Sequence, residues 1–253
     1  MGPGRPLKER LRQRIWTLLR ARGVARFPFP IHDRIPNFVG AERAAARVVD
    51  LPEWKAAERL KCNPDAPQRA LRQAALEAGK IVFMAVPRLR DARCFIRLDT
   101  AKLRGRWREA ATIRGASTFG EPVRPAGLGQ IDLIVAGSVA VNRRGARVGK
   151  GGGYSDLEFS IARELHLVDE RTPVLTTVHD LQVVRGAIPM TAHDVPLDLI
   201  VTPERVIRVR RAFPRPKGIR WSELTDEQLQ AMPVLQSLAK RSPAPTRRRR
   251  PGP

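Results

Sequence analysis

The stretch that decides the fold is GARVGKGGGYSD at residues 145–156, the glycine-rich loop, which stands between an apolar run and a helical pattern. The apolar run, Ile131 to Val141, predicts a buried strand, and Leu157 to Leu167 has apolar residues at helical spacing. Glycines let a backbone approach a ligand closely, and the free N–H groups at the start of a helix attract anions. Arg147 and Lys150 add positive charge. The loop therefore predicts phosphate binding, with a linker or tight turn as the alternative.

The composition sets the size and class of the protein. With 253 residues, of which 42% are hydrophobic, the chain can form one large α/β domain with extensions, or two small domains. No apolar run approaches the roughly 20 residues that span a bilayer, and the N-terminal segment lacks the apolar core of a signal peptide. We therefore expect a soluble, cytoplasmic protein. The cysteines, Cys62 and Cys94, lack the spacing of metal ligands, which predicts ordinary reduced thiols.

The net charge of +22 has two interpretations. Of the 47 basic residues only eight are lysine, and so strong an arginine bias is typical of a GC-rich genome. The functional alternative is an acidic ligand, such as nucleotide phosphates, a polycarboxylate or nucleic acid. Aromatic residues, which stack on bases in nucleic-acid modules, make up only 5% of the chain. Nucleic-acid binding through the arginines at 247–250 therefore stays an alternative that the composition does not favour.

Further apolar runs predict the rest of a sheet. They alternate with helical patterns, which is typical of an α/β fold with a mainly parallel sheet covered by helices on both faces. The predicted strands are Ile81–Val86, Cys94–Leu98, Val174–Val178, Leu197–Val201 and Val206–Val209, the last at an edge. Ligands bind such sheets beyond the carboxyl ends of the strands. That rule brings the glycine-rich loop onto one rim with His179-Asp180 and His193-Asp194, which are either magnesium-nucleotide residues or strand-end caps.

The remaining segments predict helices and connections. Periodic apolar residues predict helices at 7–22, 39–49, 53–60 and 68–78, whereas 99–130 forms a weak helix at best. His32 has no partner at metal-ligand spacing, so we interpret it as a structural or surface residue.

After a linker at 214–218, the segment 222–241 predicts one helix or two, with a capping box at 225–228 and a break at Pro233. We expect an α/β domain at 1–212, a helical extension at 213–241 and a disordered tail at 242–253.

Several short motifs, in the same order along the chain, resemble one enzyme family. The signature of the 5-formyltetrahydrofolate cyclo-ligases, also called methenyltetrahydrofolate synthetases, is similar to KERLR at 8–12, IDLIV at 131–135 and RVGKGGGYSD at 147–156. The methenyltetrahydrofolate synthetase domain-containing branch is closer still, with RIPNF at 34–38, KCNPDAPQ at 61–68, GKGGGYSDLE at 149–158 and VHDLQV at 178–183. The resemblance spans about residues 8 to 209 and covers neither the C-terminal extension nor the tail.

The resemblance implies a three-layer α/β/α fold similar to that of ribose-5-phosphate isomerase and the CoA transferases. It also implies an enzyme that uses ATP and Mg²⁺ to convert 5-formyltetrahydrofolate to 5,10-methenyltetrahydrofolate, so that its partner is a small folate. Lys150, Arg147 and Tyr154 would then be catalytic. The further roles implied are ATP binding by Lys8, Arg12, Arg147, Gly149, Lys150, Gly151, Gly152, Gly153 and Tyr154, substrate binding by Asp65 and Tyr154, and metal binding by Asp156 and Asp194.

Three positions depart from the pattern of typical cyclo-ligases. Ser155 and Leu157 stand where a tyrosine and an arginine are usual, and Asp65 stands where the family has a substrate-binding glutamate. The phosphate and metal parts of the motif are intact, whereas the folate part is altered. Two alternatives follow from this. One is a paralogue that acts on another small substrate, for example one linked to thiamine, and the other is a nucleic-acid or interaction protein on the same scaffold.

Overall fold

A computed structural model describes residues 4–241, and the predicted tail at 242–253 lies outside them. The helices of the described residues are α1 (Arg5–Ala21), α2 (Ala41–Val49), α3 (Pro52–Ala56), α4 (Arg69–Glu77), α5 (Thr100–Leu103), α6 (Trp107–Ala110), α7 (Ile113–Phe119), α8 (Tyr154–Glu164), α9 (Asp226–Ala231) and α10 (Pro233–Ala239). The strands are β1 (Ala25–Arg26), β2 (Asn37–Phe38), β3 (Arg59–Cys62), β4 (Ile81–Ala85), β5 (Phe95–Leu98), β6 (Glu121–Val123), β7 (Leu133–Val135), β8 (Ala140–Asn142), β9 (Arg147–Val148), β10 (Val174–Thr177), β11 (Val183–Val184), β12 (Leu199–Val201) and β13 (Val206–Arg208). None of these helices has the length and apolar character needed to cross a bilayer.

The main sheet has eight strands in the order β13-β12-β10-β7-β3-β4-β5-β6. The five central strands, from β12 to β4, pair in parallel, whereas β13 at one edge and β5 and β6 at the other pair antiparallel. The expectation of a mainly parallel sheet is therefore confirmed. In such a sheet the carboxyl ends of β3, β4, β7, β10 and β12 meet at one rim, and the loops that follow them can share a site.

Helices cover both faces of the main sheet because alternate residues of each strand point to opposite faces. In β7, Ile134 packs with Phe159 and Ile161 of α8, in a cluster that we call the α8 layer. Its neighbours Leu133 and Val135 pack with residues of α2 and α4, such as Val48 and Leu71, in the α4 layer. Both clusters consist of buried apolar side chains, so the predicted three-layer architecture is confirmed.

A second sheet carries the glycine-rich loop. Its three strands, in the order β11-β8-β9, lie under α1, whose Ile15, Trp16 and Leu19 pack against Ala140 and Val148 in the α1 layer. The prediction of one strand from 131 to 141 is therefore wrong, because β7 belongs to the main sheet and β8 to the second. The break lies at Gly137, where a β-carbon would come within 2.6 Å of an Asp65 carboxylate oxygen.

Two other predictions about elements are wrong. The sequence predicts a helix at 53–60, but α3 ends at Ala56 and β3 begins at Arg59, in the middle of the main sheet. Lys61 interrupts the apolar pattern of β3, although its side chain is buried in the fold. The segment 99–130, for which the sequence predicts a weak helix at best, forms the three short helices α5, α6 and α7 and the edge strand β6.

The C-terminal extension packs onto the α8 layer. Met232, Val234, Leu235 and Leu238 are buried in the same cluster as Phe159. The predicted capping box is present, since the Thr225 hydroxyl accepts from the Gln228 N–H and the Gln228 side chain accepts from the Thr225 N–H. The predicted break at Pro233 separates α9 from α10.

The segment predicted as a linker, 214–218, is anchored by Arg215. This arginine is buried, pairs with Asp198, and donates to the carbonyl oxygen of Thr172 at 2.7 Å. The connection to the extension is therefore held against the end of the main sheet.

Candidate active site

The glycine-rich loop runs from β9 into the N-terminus of α8. Gly151 (φ 115°) and Gly153 (φ 69°) have left-handed backbone conformations, and Gly153 is the residue that caps α8. At Gly152 a β-carbon would lie 2.8 Å from the ring of Tyr154, so the loop can pass that ring only without a side chain. The first N–H groups of α8 have no partner within the helix, which favours an anion at this end.

The loop forms one wall of a cavity of about 410 Å³, the main cavity. The opposite wall comes from the segments that follow β3 and β4, at the carboxyl ends of these strands. Of the residues singled out in the sequence, the cavity brings together Asp65, Arg147, Gly149, Lys150, Gly152, Gly153, Tyr154 and Asp156. Lys8, Arg12, Gly151 and Asp194 do not line it, although contacts described below tie them to the loop or its neighbourhood.

Helix α1 brings two cations to this neighbourhood. Lys8 and Arg12 are four residues apart and so share a face of the helix. The Arg12 Nε donates to the carbonyl oxygen of Gly149 at 2.8 Å, while its Nη1 donates to Glu9 at 2.8 Å. The Lys8 Nζ donates to Asp194 Oδ2 at 2.6 Å. The N-terminal helix therefore contacts both the glycine-rich loop and Asp194.

Arg147 lies beneath the loop and is 4% exposed. Its Nη1 donates to the carbonyl oxygen of Gly137 at 2.9 Å, and its Nη2 donates to Asp156 Oδ1 at 2.5 Å. These bonds connect the start of the loop to the break between β7 and β8. In this arrangement Arg147 positions the loop and neutralises Asp156, while its buried Nε has no hydrogen-bond partner among residues 4–241.

Asp156 and Asp194 lie close together in the fold. The Asp156 carboxylate accepts from the N–H of Val195 at 3.0 Å, which is the residue after Asp194. Burial opposes the ionisation of Asp194, but hydrogen bonds from Lys8 and Thr191 outweigh it and hold the pKa of this carboxyl below its usual value. Each carboxylate thus has a cationic partner beside the loop, Lys8 for Asp194 and Arg147 for Asp156.

The donor set suits a shared magnesium ion rather than a closed protein site. Among residues 4–241 no three His, Cys, Asp or Glu side chains are grouped as metal ligands. Mg²⁺, however, usually takes one or two carboxylates and completes its shell with waters and substrate phosphates. Asp156 and Asp194 each use one oxygen in the bonds described above, so a second oxygen of each fits that role.

Lys150 and Asp65 face each other across the main cavity. Their contact is 3.5 Å, and the Lys150 side chain is 49% exposed, so the pair is loose. Asp65 is held more firmly, since Arg72 donates to its carbonyl oxygen at 3.0 Å and to that of Asn63 at 2.6 Å. The backbone at Asp65 is therefore held in place and its side chain is only 12% exposed, whereas the half-exposed Lys150 ammonium can be redirected to a ligand.

The structure adds a buried ion pair that the sequence does not single out as functional. Lys61 of β3 pairs with Glu158 of α8, and its Nζ also donates to Asn63 Oδ1 at 2.7 Å. Lys61 is 5% and Glu158 6% exposed, and Glu158 lines the main cavity. The sequence offers little signal for this pair, because Lys61 stands in a segment that also contains Glu58 and Arg59. Arg88, which follows β4 and also lines the cavity with φ 58°, was missed as well.

The two His-Asp pairs do not both join the site. His179 caps a short 3₁₀ helix, where its Nδ1 accepts from the Leu181 N–H at 3.1 Å, so the strand-end cap was the correct alternative there. Burial lowers the pKa of this histidine. His193 lies on the other side of the loop and contacts Glu223 at 2.9 Å. His32 packs against the ring of Trp16, which confirms its structural interpretation.

The two cysteines are free and buried, in agreement with the prediction of reduced thiols. Burial raises the pKa of the Cys94 thiol to about 12, and it also raises that of Cys62. Neither lines the main cavity. They are therefore packing residues in this fold.

Comparison with known proteins shows the family to which the chain belongs. The sequence pattern of the 5-formyltetrahydrofolate cyclo-ligase family matches residues 5–203, which include α1, the glycine-rich loop and both aspartates. The chain belongs to the 5-formyltetrahydrofolate cyclo-ligase family. The C-terminal extension lies beyond the matched residues.

The relatives of this chain are named after the methenyltetrahydrofolate synthetase domain-containing branch, which the sequence motifs also indicate. The methenyltetrahydrofolate synthase domain-containing protein of Mus musculus is 41% identical over 239 residues, which cover 92% of this chain and 63% of that protein. The protein of the same name from Bos taurus is 41% identical over 236 residues, covering 91% of this chain and 61% of that protein. The chain thus spans somewhat less than two thirds of the length of these relatives.

A solved structure agrees with the fold. The 5,10-methenyltetrahydrofolate synthetase of Aquifex aeolicus superposes with a TM-score of 0.50 at 19% identity, covering 82% of this chain and 95% of that one. At this identity the likeness supports the architecture alone.

Proposed function

We propose that this protein uses ATP and Mg²⁺ to convert 5-formyltetrahydrofolate to 5,10-methenyltetrahydrofolate, with ADP and phosphate as the other products. The observation that carries the proposal is the main cavity. One wall is a phosphate-type loop flanked by cations and by two aspartates, and the other wall presents Asp65, whose backbone is held by Arg72. Family membership supplies the reaction that fits such a cavity.

The reaction needs ATP because the formyl oxygen is a poor leaving group. Transfer of the γ-phosphoryl group to that oxygen gives an iminium phosphate. Nitrogen N10 of the folate then attacks the activated carbon and gives up its proton, the C–O bond breaks, and phosphate leaves with the oxygen. The protein's part in such a transfer is chiefly to orient the two substrates and to neutralise developing charge.

Lys150 is the side chain best placed to follow the transferred phosphoryl group. It is half exposed, and its 3.5 Å contact with Asp65 is long for an ion pair. Exposed pairs of this kind contribute no more than about 1 kcal/mol, so exchange of Asp65 for a phosphate oxygen costs little. The backbone N–H groups of Gly151 to Tyr154 would share the phosphate charge.

The remaining residues hold the loop and the aspartates. Arg12 fixes the carbonyl of Gly149, and Arg147 fixes Asp156, so both act first through the geometry of the loop. Asp156 and Asp194 would hold Mg²⁺ together with phosphate oxygens. When bound, the ion would neutralise phosphate charge and orient the transferred group. Tyr154 and Asp65 would contact the folate.

The test is turnover of 5-formyltetrahydrofolate with ATP and Mg²⁺, followed through the absorbance of the product. We expect Lys150→Ala and Asp156→Asn to lower kcat at least a hundredfold. Lys102→Ala and Asp180→Asn are the matched controls, because Lys102 and Asp180 lie outside the main cavity and pair with Glu121 and Arg205, respectively. Both should leave kcat unchanged.

Two results would contradict the proposal. One is turnover that survives both substitutions in the loop. The other is no turnover by a protein that still binds ATP through Lys150, which would favour a paralogue acting on another small substrate.

A further inference from the structure

A second cavity lies on the far side of the glycine-rich loop. This flank cavity, of about 140 Å³, shares Gly152, Gly153, Tyr154 and Asp156 with the main cavity, so the loop is a wall common to both. Its other wall comes largely from the C-terminal extension, through Ile219, Arg220, Glu223, Leu224, Gln228 and Met232. The extension thus contributes to a site that adjoins the phosphate loop.

The flank cavity has the character of a pocket for a flat ring. Leu157 of α8 together with Ile219, Leu224 and Met232 of the extension supplies apolar contact. The cavity has about a third of the volume of the main cavity, which suits a single ring system and not a whole folate or nucleotide. Such apolar walls with a few polar groups at the edge are typical of ligand pockets.

The polar groups of the flank cavity suit the edge of a nitrogen heterocycle. Gln228 Oε1 accepts from the Thr225 N–H at 3.0 Å, which orients the amide and leaves its nitrogen as a donor. The Glu223 carboxylate is held by His193 at 2.9 Å and by Arg220 at 2.5 Å. Amide and guanidinium donors beside a fixed carboxylate can bind both the ring nitrogens and the exocyclic group of a purine.

We propose that the flank cavity binds the purine base of the nucleotide whose phosphates lie on the glycine-rich loop. This inference rests on the proposed function, because it assumes that the loop binds ATP. It assigns a role to the extension, which lies outside the residues that match the family pattern. The base then lies against α9 and the main cavity stays open to the second substrate.

The two cavities differ in chemistry, which supports placing the base in the flank cavity and the second substrate in the main cavity. The main cavity contains Asp65, Arg88, Lys150 and the buried carboxylate of Glu158, which suit a polar substrate. The flank cavity offers Ile219 and Met232, which are buried, and the partly buried Leu224. A nucleotide held across the loop places its phosphates between the two.

The test compares the binding of ATP with that of inorganic triphosphate, both with Mg²⁺, by calorimetry. Leu224→Trp fills the flank cavity, and we expect it to weaken ATP binding at least tenfold while triphosphate binding changes less than twofold. Leu224→Ala, which introduces no clash, should weaken ATP binding about threefold. Leu229→Trp is the matched control, because Leu229 is also a partly buried leucine of the extension but does not line the cavity.

The outcomes separate the base pocket from the proposed function. The base pocket is overturned if Leu224→Trp leaves ATP binding unchanged, or if it weakens ATP and triphosphate equally. In either case the proposed function survives as long as Lys150→Ala weakens the binding of both ligands. If the unaltered protein binds neither ligand, the proposed function and the base pocket fail together.

Discussion

Arg147 and Lys150 carry the same charge on the same loop but have different surroundings. Arg147 is 4% exposed and donates to Gly137 and Asp156, whereas Lys150 is half exposed and makes a long contact with Asp65. A buried arginine with two short bonds is a fixed structural element, because removing it leaves Asp156 without its counter-charge. Two cations that are equivalent in the sequence therefore have different roles in the fold.

The ion pair between Lys8 and Asp194 makes stability depend on pH. A carboxyl whose pKa is lower in the folded chain stabilises the fold above its unfolded pKa of about 3.9, and this contribution is lost as the pH falls through the folded pKa. In Lys8→Met, the buried Asp194 carboxylate loses the hydrogen bond from Lys8 that offsets its burial, so the pKa of Asp194 should rise. We expect a loss of about 3 kcal/mol in the free energy of unfolding at pH 7, and a smaller loss at pH 4.

Urea denaturation at both pH values measures this effect. Lys55→Met, at an exposed position of α3, removes the same charge away from Asp194 and should change stability by less than about 0.5 kcal/mol. An equal loss for Lys8→Met at pH 7 and pH 4 would show that Asp194 is not the group involved.

The residues of the site differ in how far the sequence reveals them. A short run that combines glycines, cations and an aspartate is typical of a phosphate-binding loop, and its position between a strand and a helix could be predicted from the sequence. The pair of Lys61 and Glu158 could not be predicted, because nothing in the sequence indicates that a charged residue will be buried against a partner 97 positions away. Arg88 was hidden for a similar reason, since its place on the cavity depends on where β4 ends.

At the scale of elements, continuous apolar runs predict burial but not the sheet to which a strand belongs. Residues 131–141 are almost all buried, and yet β7 and β8 belong to different sheets. The division depends on Gly137 passing Asp65, a contact between segments far apart in the chain. The strand β3 was missed for the opposite reason, because Arg59 and Lys61 break its apolar pattern, and the partners that allow Lys61 to be buried, Glu158 and Asn63, are seen only in the fold.

The C-terminal extension should contribute directly to the stability of the main sheet's α8 layer. Leu235 of α10 is fully buried in the cluster that contains Phe159. We expect Leu235→Ala to lower the free energy of unfolding by about 2 to 5 kcal/mol, because it removes buried apolar surface and leaves a cavity. Chemical denaturation followed by circular dichroism measures the change.

Leu7→Ala provides the control for this prediction. Leu7 is 43% exposed on α1, so its truncation should have an effect below about 1 kcal/mol. Equal and small effects at Leu7 and Leu235 would mean that the extension is only loosely attached to the α8 layer.

At the scale of the whole molecule, the charge of +22 reflects 47 basic residues against 25 acidic ones. A protein with this charge is expected to bind RNA by releasing the RNA's counterions. This release becomes less favourable as the salt concentration rises, so the binding weakens. Such binding alone is therefore no sign of an RNA-binding function, and selectivity among RNA sequences or structures would be needed to establish one.

Removal of residues 242–253 tests whether the charge and the enzyme site are separable. The segment contains the four arginines at 247–250, so the slope of log K against log salt for single-stranded RNA should fall by at most about 3. Turnover of 5-formyltetrahydrofolate should be unchanged, since the residues of the site all lie within 4–241. If the truncated protein lost turnover and kept the salt slope, residues 242–253 would be needed for the reaction and not for the binding of RNA.

The separation of the fold into three apolar layers has an optical consequence. Trp16 is fully buried in the α1 layer beneath the glycine-rich loop, Trp54 and Trp107 belong to the α4 layer, and Trp221 packs on the α8 layer. Each layer thus has its own intrinsic fluorophore. Proteins that keep tryptophan in one layer only would report by fluorescence whether the sheet that carries the loop melts together with the main sheet or before it.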